Sequence, residues 1–281
     1  MSRTRRTAGP GATSAAPDAV DLAPIVLRLR AAGCVFAEDE AALLAAAAGA
    51  DAAELETLVV RRVAGEPLEV ILGWVSFRGL RLAVAPGVFV PRRRSEILVS
   101  QAVLIASPGA LVVELCAGVA AVAAAVQSEA PAARVWAAEL DPVATAVARR
   151  NIDPGRVLDG DLYDALPATM RGGIDILIAN APYVPTAEIA NMPVEARDFE
   201  PVLALDGGPD GLDVQRRVIS GAAQWMRADG ALIIETSRRQ AGATMALMEA
   251  EGMSAREVHD DEVDGTAVVG IRPSASAGER R

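Results

Sequence analysis

Lysine is absent from this sequence: all 27 basic residues are arginines. Together with the abundance of alanine and glycine, that absence reflects coding bias before it reflects any site. Basic charge is in deficit as well. Against 37 acidic residues the formal net charge is −10, which argues against non-specific DNA binding, because that affinity comes largely from neutralising phosphates. An acidic chain can still bind a protein. Cysteine is scarce. Cys34 and Cys116 stand far apart in apolar segments, so there is no disulfide framework, and two buried thiols in a reducing compartment, by default the cytoplasm, are expected. The only histidine, His259, comes late in the chain and is expected to be structural or exposed, and no metal site is expected. Long hydrophobic runs are missing too. The most apolar stretch, Ile97 to Val126, is broken by Ser107-Pro108-Gly109 and by Glu114, which leaves no membrane span. Residues 1–18 carry Arg3, Arg5 and Arg6 but no apolar segment behind them, so they read as a disordered tail and not as a signal peptide. Residues 273–281 read as a second tail.

What is present suffices for a sizeable core: 52% of the 281 residues are hydrophobic, enough for one large domain or a medium one with a small companion. Over 19–66, apolar residues recur at helical spacing as Leu22, Ile25, Val26 and Leu29, then Ala41, Leu43 and Leu44, then Leu55, Leu58 and Val59, with Gly33, Gly49 and Gly65 between them. Two or three short helices in a small bundle are predicted, with the run Ala45 to Ala48 packed closely. Over 67–94, alternating apolar residues about Arg78-Gly79 predict a β-hairpin linker. Arg92, Arg93 and Arg94 read chiefly as a solvated loop, and Ser95 as the N-cap of a helix from Ile97 to Ala106.

From 95 to 272 the pattern becomes β-α alternation, the signature of a parallel sheet covered by helices. The predicted strands are Leu111 to Leu115, Arg134 to Leu140, about Arg156 to Leu158, Ile174 to Ala179 and Ala231 to Glu235. Helices are predicted at Leu212 to Met226 and Gln240 to Glu251, and a final antiparallel pair at Ser254 to Val258 with Thr266 to Ile271.

The stretch with the most chemistry begins where the fourth strand ends, at Asn180-Ala181-Pro182-Tyr183-Val184-Pro185. Two prolines at alternate positions forbid regular pairing, so polar groups are presented at a strand's carboxyl end, where ligands bind in open α/β sheets. The Asn180 amide, the Ala181 carbonyl and the flat Tyr183 ring can together grip a planar amide or a nucleobase edge. The first strand runs into Glu114-Leu115-Cys116-Ala117-Gly118, which lacks the three glycines of a dinucleotide-phosphate loop. Glu139, closing the second strand, is placed to accept from ribose hydroxyls, or is a surface carboxylate. Glu114 can meet a cationic amino group, which S-adenosylmethionine has and NAD lacks. Asp141-Pro142 is explained as a helix cap, and Asp161, before Leu162, either serves an adenine or merely closes a turn.

These residues resemble a known family. Asn180-Ala181-Pro182-Tyr183 is similar to the Asn-Pro-Pro-Tyr motif of amino methyltransferases, and its surroundings resemble the HemK/PrmC protein-glutamine methyltransferases. The resemblance extends through Arg62 with Gly65-Glu66-Pro67, Phe77-Arg78-Gly79-Leu80, Val90-Pro91-Arg92 with Ser95-Glu96, Phe199-Glu200-Pro201, Ala204 to Leu212, and Glu235-Thr236-Ser237. It implies an α/β fold: a class I Rossmann-like methyltransferase domain with a small N-terminal helical domain and a β-hairpin linker. It also implies S-adenosyl-L-methionine as cofactor, held by Glu114, Cys116, Gly118, Glu139, Asp161, Leu162 and Asn180. The catalytic set it implies is Asn180, Ala181, Pro182 and Tyr183, and the substrate a glutamine in the Gly-Gly-Gln loop of a peptide chain release factor. A cytoplasmic monomer that does not act on nucleic acid is expected. Val119, Ala120 and Ala181 depart from the motif. A β-carbon at 120 either crowds the methionine moiety or shifts the loop, so cofactor binding at reduced affinity is expected. Two alternatives stay open: a nucleic-acid amino methyltransferase, and a non-catalytic relative that docks a translation factor.

Overall fold

A computed structural model describes residues 21–274, so the tail expected at 1–18 and most of that at 273–281 lie outside the described residues. The chain divides into two compact units, Met1–Ala64 and Gly65–Arg281.

The described residues of the first unit form three helices, α1 (Ala23–Ala31), α2 (Ala37–Ala48) and α3 (Ala52–Val63). Asp51 caps α3 by accepting from the Ala53 and Glu54 N–H groups. Leu29, Ala41, Leu44, Leu55, Leu58 and Val59 are buried, as their spacing predicts. The alanine run does not pack closely. Ala46 and Ala47 are exposed, because four consecutive helical residues cover the whole circumference and two must face water.

The second unit opens with a short helix, α4 (Leu68–Leu72), where alternation in the sequence suggests a hairpin arm. Pro67 leads into it, Val70 and Ile71 are buried, and Gly73, in the left-handed region at φ +76°, closes it. The hairpin is shorter, β1 (Trp74–Phe77) paired antiparallel with β2 (Leu80–Ala83). Its turn residues Arg78 and Gly79 have φ of +50° and +75°, as a tight two-residue connection requires. Phe77, Leu82 and Val84 join the buried cluster that contains Val112 and Val122, and the Asn151 side chain bonds both the N–H and the carbonyl of Ala83.

The remaining elements are α5 (Glu96–Ile105), β3 (Leu111–Leu115), α6 (Ala121–Glu129), β4 (Arg134–Glu139), α7 (Pro142–Asn151), β5 (Val157–Asp159), β6 (Ile174–Ala179), α8 (Val194–Phe199), α9 (Asp213–Trp225), β7 (Met226–Glu235), α10 (Arg238–Ala250), β8 (Ser254–Asp260) and β9 (Gly265–Ile271). The sheet order is β5-β4-β3-β6-β7-β9-β8. Strands β3 to β7 run parallel, while β9 is antiparallel to both β7 and β8. Every residue of β3 is buried, which is why its sequence is continuously apolar apart from Glu114: helices cover both faces of a parallel sheet.

The chain leaves β3 outward to β4 and β5, then returns to β6 on the other side of β3. Between β3 and β6 lies the topological switch point, where such sheets open a crevice. The register sets Leu115 beside Ala179, so the turn after β3 and the Asn180 segment after β6 emerge as neighbours.

A stacked pair holds the loop after β5. The Tyr163 ring lies over Trp225, centroids 5.8 Å apart, and its hydroxyl donates to the Val218 carbonyl at 2.5 Å. Gly221 of α9 lies beneath this ring, and a β-carbon there would come within 2.3 Å of Tyr163 Cε2. In an open helix interior Gly→Ala stabilises by ~1 kcal/mol. Here Gly221→Ala is expected to destabilise by about 1–3 kcal/mol through overpacking, read from urea or thermal unfolding. A gain in stability would show that the ring moves aside freely.

Candidate active site

The turn after β3 is strained in an orderly way. Cys116, Gly118 and Ala120 all lie in the left-handed region, at φ +52°, +54° and +59°, and this reverses the chain into α6. Ala117 donates to the Ala138 carbonyl at 3.1 Å and Ala120 to the Ala117 carbonyl at 2.7 Å. The Ala120 side chain is fully buried within the core cluster. The cavity above is walled by Gly118, Val119, Ala121 and Val122 without it. The departure at 120 therefore puts no methyl group in the cavity. Its effect is backbone strain, since a β-carbon in the left-handed conformation costs about 1–2 kcal/mol.

Glu139 is not a surface carboxylate. It is buried, and its oxygens accept from the Gly118 N–H at 2.6 Å and the Asp141 N–H at 2.8 Å. Burial raises its pKa, and these main-chain donors oppose the rise. Glu114, 3% exposed, accepts from the Ala123 N–H in the first turn of α6 at 2.8 Å. Burial pushes its carboxyl up to about 8 against that hydrogen bond, and the charge of Glu139 adds to the rise. Burial likewise raises the Cys116 thiol. After β5, Leu162 adopts φ +50° and Asp161 pairs with Arg217 at 2.7 Å.

Every residue singled out in the sequence, Glu114, Cys116, Gly118, Glu139, Asp161, Leu162, Asn180, Ala181, Pro182 and Tyr183, borders one cavity at the switch point. Ala181 lacks the ring of the usual proline, but its segment is braced from outside. Val184 and the 205–207 loop exchange main-chain hydrogen bonds at 3.0 and 2.9 Å, and the Gln240 side chain donates to the Tyr183 carbonyl at 3.0 Å. Gly211 packs so closely that a β-carbon would lie 2.3 Å from the Tyr183 oxygen.

Ser95 and the arginines differ from expectation. Ser95 makes no capping hydrogen bond and has helical φ/ψ of −70° and −9°, because a 3₁₀ turn at Arg93–Ser95 runs straight into α5. An N-cap needs an extended residue to turn its hydroxyl onto the helix. The Ser95 hydroxyl instead accepts from Asn180 Nδ2 at 3.2 Å. Arg93 and Arg94 are exposed, as a solvated loop requires, yet Arg92 and Arg94 also border the cavity. Arg92 pairs with buried Glu200 at 2.6 Å, and the Val90 N–H donates to the same Glu200 oxygen at 3.1 Å. Arg94 lies 5.9 Å over the Tyr183 ring and 3.4 Å from Glu235, which also accepts from the Tyr183 hydroxyl at 3.3 Å. Ser95, Arg94 and Glu235 received no role in the site from the sequence. Ser95 and Glu235 at least fall within segments that resemble the family, whereas Arg94 carried no signal beyond the arginine run. His259 sits in β8 against Thr266 and does not border the cavity. Among the described residues no cluster of three or more His, Cys, Asp or Glu is placed to hold a metal, and no helix is long and apolar enough to cross a membrane.

A sheet of this order with its cavity at the switch point has the Rossmann-like architecture of class I methyltransferases. The crystal structure of a methyltransferase from Pyrococcus furiosus has the same fold, with a TM-score of 0.53 at 16% identity over 69% of this chain and 90% of that one. No protein-family model matches the chain. The release factor glutamine methyltransferase of Geobacter sulfurreducens is 36% identical over 199 residues, 69% of each chain. The 4-amino-L-phenylalanine/4-methylamino-L-phenylalanine methyltransferase of Streptomyces pristinaespiralis is 36% identical over 203 residues, again 69% of each. The chain belongs to the release factor glutamine methyltransferase family.

The raised carboxyl of Glu114 has a consequence for stability. A group whose folded pKa lies above its unfolded one binds its proton more tightly when folded, so ionising it as pH climbs from the ordinary 4.5 through about 8 weakens the fold. Glu114→Gln is therefore expected to stabilise the ligand-free protein at pH 8.5 by on the order of a few kcal/mol, ~2–4 °C of melting temperature for each, with the difference shrinking as pH falls and vanishing well below the unfolded value of 4.5. Melting curves across pH check this. A difference independent of pH would mean that Glu114 is not the titrating group.

Proposed function

We propose that this chain transfers the methyl group of S-adenosyl-L-methionine to the side-chain nitrogen of a glutamine in the Gly-Gly-Gln loop of a peptide chain release factor. The observation that carries this is the β3–β6 register: it sets the Asn180 amide and the Ala181 carbonyl beside the turn Cys116–Gly118, in a chain whose relatives include several named release factor glutamine methyltransferases.

The residues present suit the cofactor. The ligand is cationic at sulfur and at its amino group, and two buried carboxyl groups, Glu114 and Glu139, border the cavity, where a nearby cation favours their ionised forms. Glu139 accepts one main-chain N–H on each oxygen, which leaves lone pairs for ribose hydroxyls. At Gly118 nothing lies within 4 Å of the place a β-carbon would take, so a ligand can approach the main chain there. Val122, Ala144 and Leu162 offer apolar walls. Cys116, Asp161 and Asn180 complete the set assigned to the cofactor.

When bound, the cofactor supplies an electrophilic methyl group on a positively charged sulfur. The chain's own residues prepare the acceptor. A carboxamide nitrogen is a poor nucleophile because its lone pair is delocalised, and it gains positive character as it attacks. Asn180 Oδ1 and the Ala181 carbonyl accept its two N–H bonds, so they hold the nitrogen in line and stabilise the attacked state more than the resting one. Pro182 contributes no competing donor. Tyr183, pinned by Glu235 and Arg94, offers its flat face to the amide plane.

We assign the helical segment 19–66 a part in recognising the release factor, 67–94 the role of linker and 95–272 that of transferase domain, in a cytoplasmic monomer. A nucleic-acid substrate is set aside because the net charge of −10 disfavours it.

Labelled S-adenosylmethionine incubated with release factor, with nucleic acid or with a free aromatic amino acid is expected to label only the release-factor glutamine. Asn180→Ala is expected to lower kcat/KM by about 100-fold or more while calorimetry finds cofactor affinity within about 3-fold of the parent. Turnover retained in that variant would move the site elsewhere.

A further inference from the structure

Arginine meets a carboxylate best as a fork, with two parallel bonds onto two oxygens. Arg92 and Glu200 do not pair in this way. Arg92 Nη2 donates to Glu200 Oε1 at 2.6 Å, and the Val90 N–H donates to the same oxygen at 3.1 Å. Oε2 is left buried without a donor, a cost that a second arm of the arginine would remove. Among the described residues, Nε and Nη1 of Arg92 make no hydrogen bond.

The guanidinium is nevertheless held in place. Its anchor is buried, since the Glu200 side chain is 1% exposed, and its central carbon lies 5.1 Å from the centre of the Phe89 ring. A cation fixed by a buried charge and by a ring loses little freedom when its remaining N–H groups meet a ligand. Arg92, Glu200 and Phe89 all border the cavity, and they come from segments that flank the Asn180–Val184 stretch. Ser95 bonds Asn180, Arg94 lies over Tyr183, and the 205–207 loop exchanges main-chain bonds with Val184. The charges narrow the ligand. Arg92 offers donors, but with Glu200 it forms a neutral pair, so a carboxylate attracted by the one is repelled by the other. A neutral acceptor such as a main-chain carbonyl meets no such conflict.

We infer that Arg92 binds the main chain of the substrate, donating from Nε or Nη1 to a peptide carbonyl beside the target glutamine, and that Glu200 is its positioning residue. The contact favours a glutamine carried in a peptide over the free amino acid, whose carboxylate would face Glu200. Glycines beside the glutamine suit it, because a chain without side chains can approach the wall to hydrogen-bond distance. The inference rests on the proposed function.

The test measures kcat, KM for release factor and cofactor affinity in the full-length protein. Arg92→Met keeps an apolar stem and removes the donors. It is expected to raise KM about 10-fold or more, with kcat within about 3-fold and cofactor affinity within about 2-fold of the parent. Because that substitution leaves a buried carboxylate without its partner, a double variant, Arg92→Met with Glu200→Gln, is measured beside it. The double variant is expected to regain the parental melting temperature and to keep the raised KM. A parental KM in the double variant would overturn the inference, since the arginine would then serve only to neutralise Glu200. An unchanged KM in a folded Arg92→Met would do the same. So would a loss of cofactor affinity with KM for release factor intact, which would place the cofactor's carboxylate on Arg92. Release factor left unlabelled by the parent protein would instead overturn the proposed function.

Discussion

The parallel pairing of β3 with β6 is the contact on which the rest depends. Its register, with Leu115 beside Ala179, places two segments that are distant in the chain at one strand end, each irregular for its own reason. After β3 the main chain passes through three left-handed residues in five. After β6, Pro182 and Pro185 prevent the ladder from continuing. Slipping this register by one residue would turn the apolar faces of a fully buried strand the wrong way, so the packing of the core and the alignment of the site are the same constraint.

Carboxylates at strand ends give the site its electrostatic character. Glu114, Glu139 and Glu235 lie at or next to the carboxyl ends of β3, β4 and β7, each nearly or wholly buried. Burial raises the pKa of all three. They persist because donors meet them: main-chain N–H groups at Glu114 and Glu139, side chains at Glu235. Glu114 and Glu139 border the cavity, and a cationic ligand there favours their ionised forms. This agrees with the absence of a three-glycine phosphate loop, and it is a local effect that the net charge of the chain does not require.

The site also shows how departures from a motif are absorbed. Ala181 loses the stiffness of a proline ring, yet Gln240 and the 205–211 loop clamp the neighbouring main chain from outside. The methyl of Ala120 turns into the core, where the apolar surroundings of α6 have room for it. In both places a residue that looks wrong in the motif is tolerated because rigidity or volume is supplied by segments elsewhere in the chain.

Periodicity and punctuation along the chain determined the strands from Leu111 to Ala179, the second half of β7 from Ala231, the hairpin turn at Arg78-Gly79 and the Asn180 segment, because these depend on neighbours in sequence and on the fixed torsions of proline and glycine. The polar start of β7 at Met226–Gly230 reads in the sequence as the end of a helix and a loop. Alternation misled at Leu68–Leu72, where five residues suffice for one helical turn and too few for a clear period. Only the tertiary structure decided that the Ser95 hydroxyl bonds Asn180 and caps no helix, and that Arg94 and Tyr183 share Glu235. These are single hydrogen bonds and ion pairs across many tens of residues. Such contacts leave no repeat in the sequence and exist only once the sheet has brought their strand ends together.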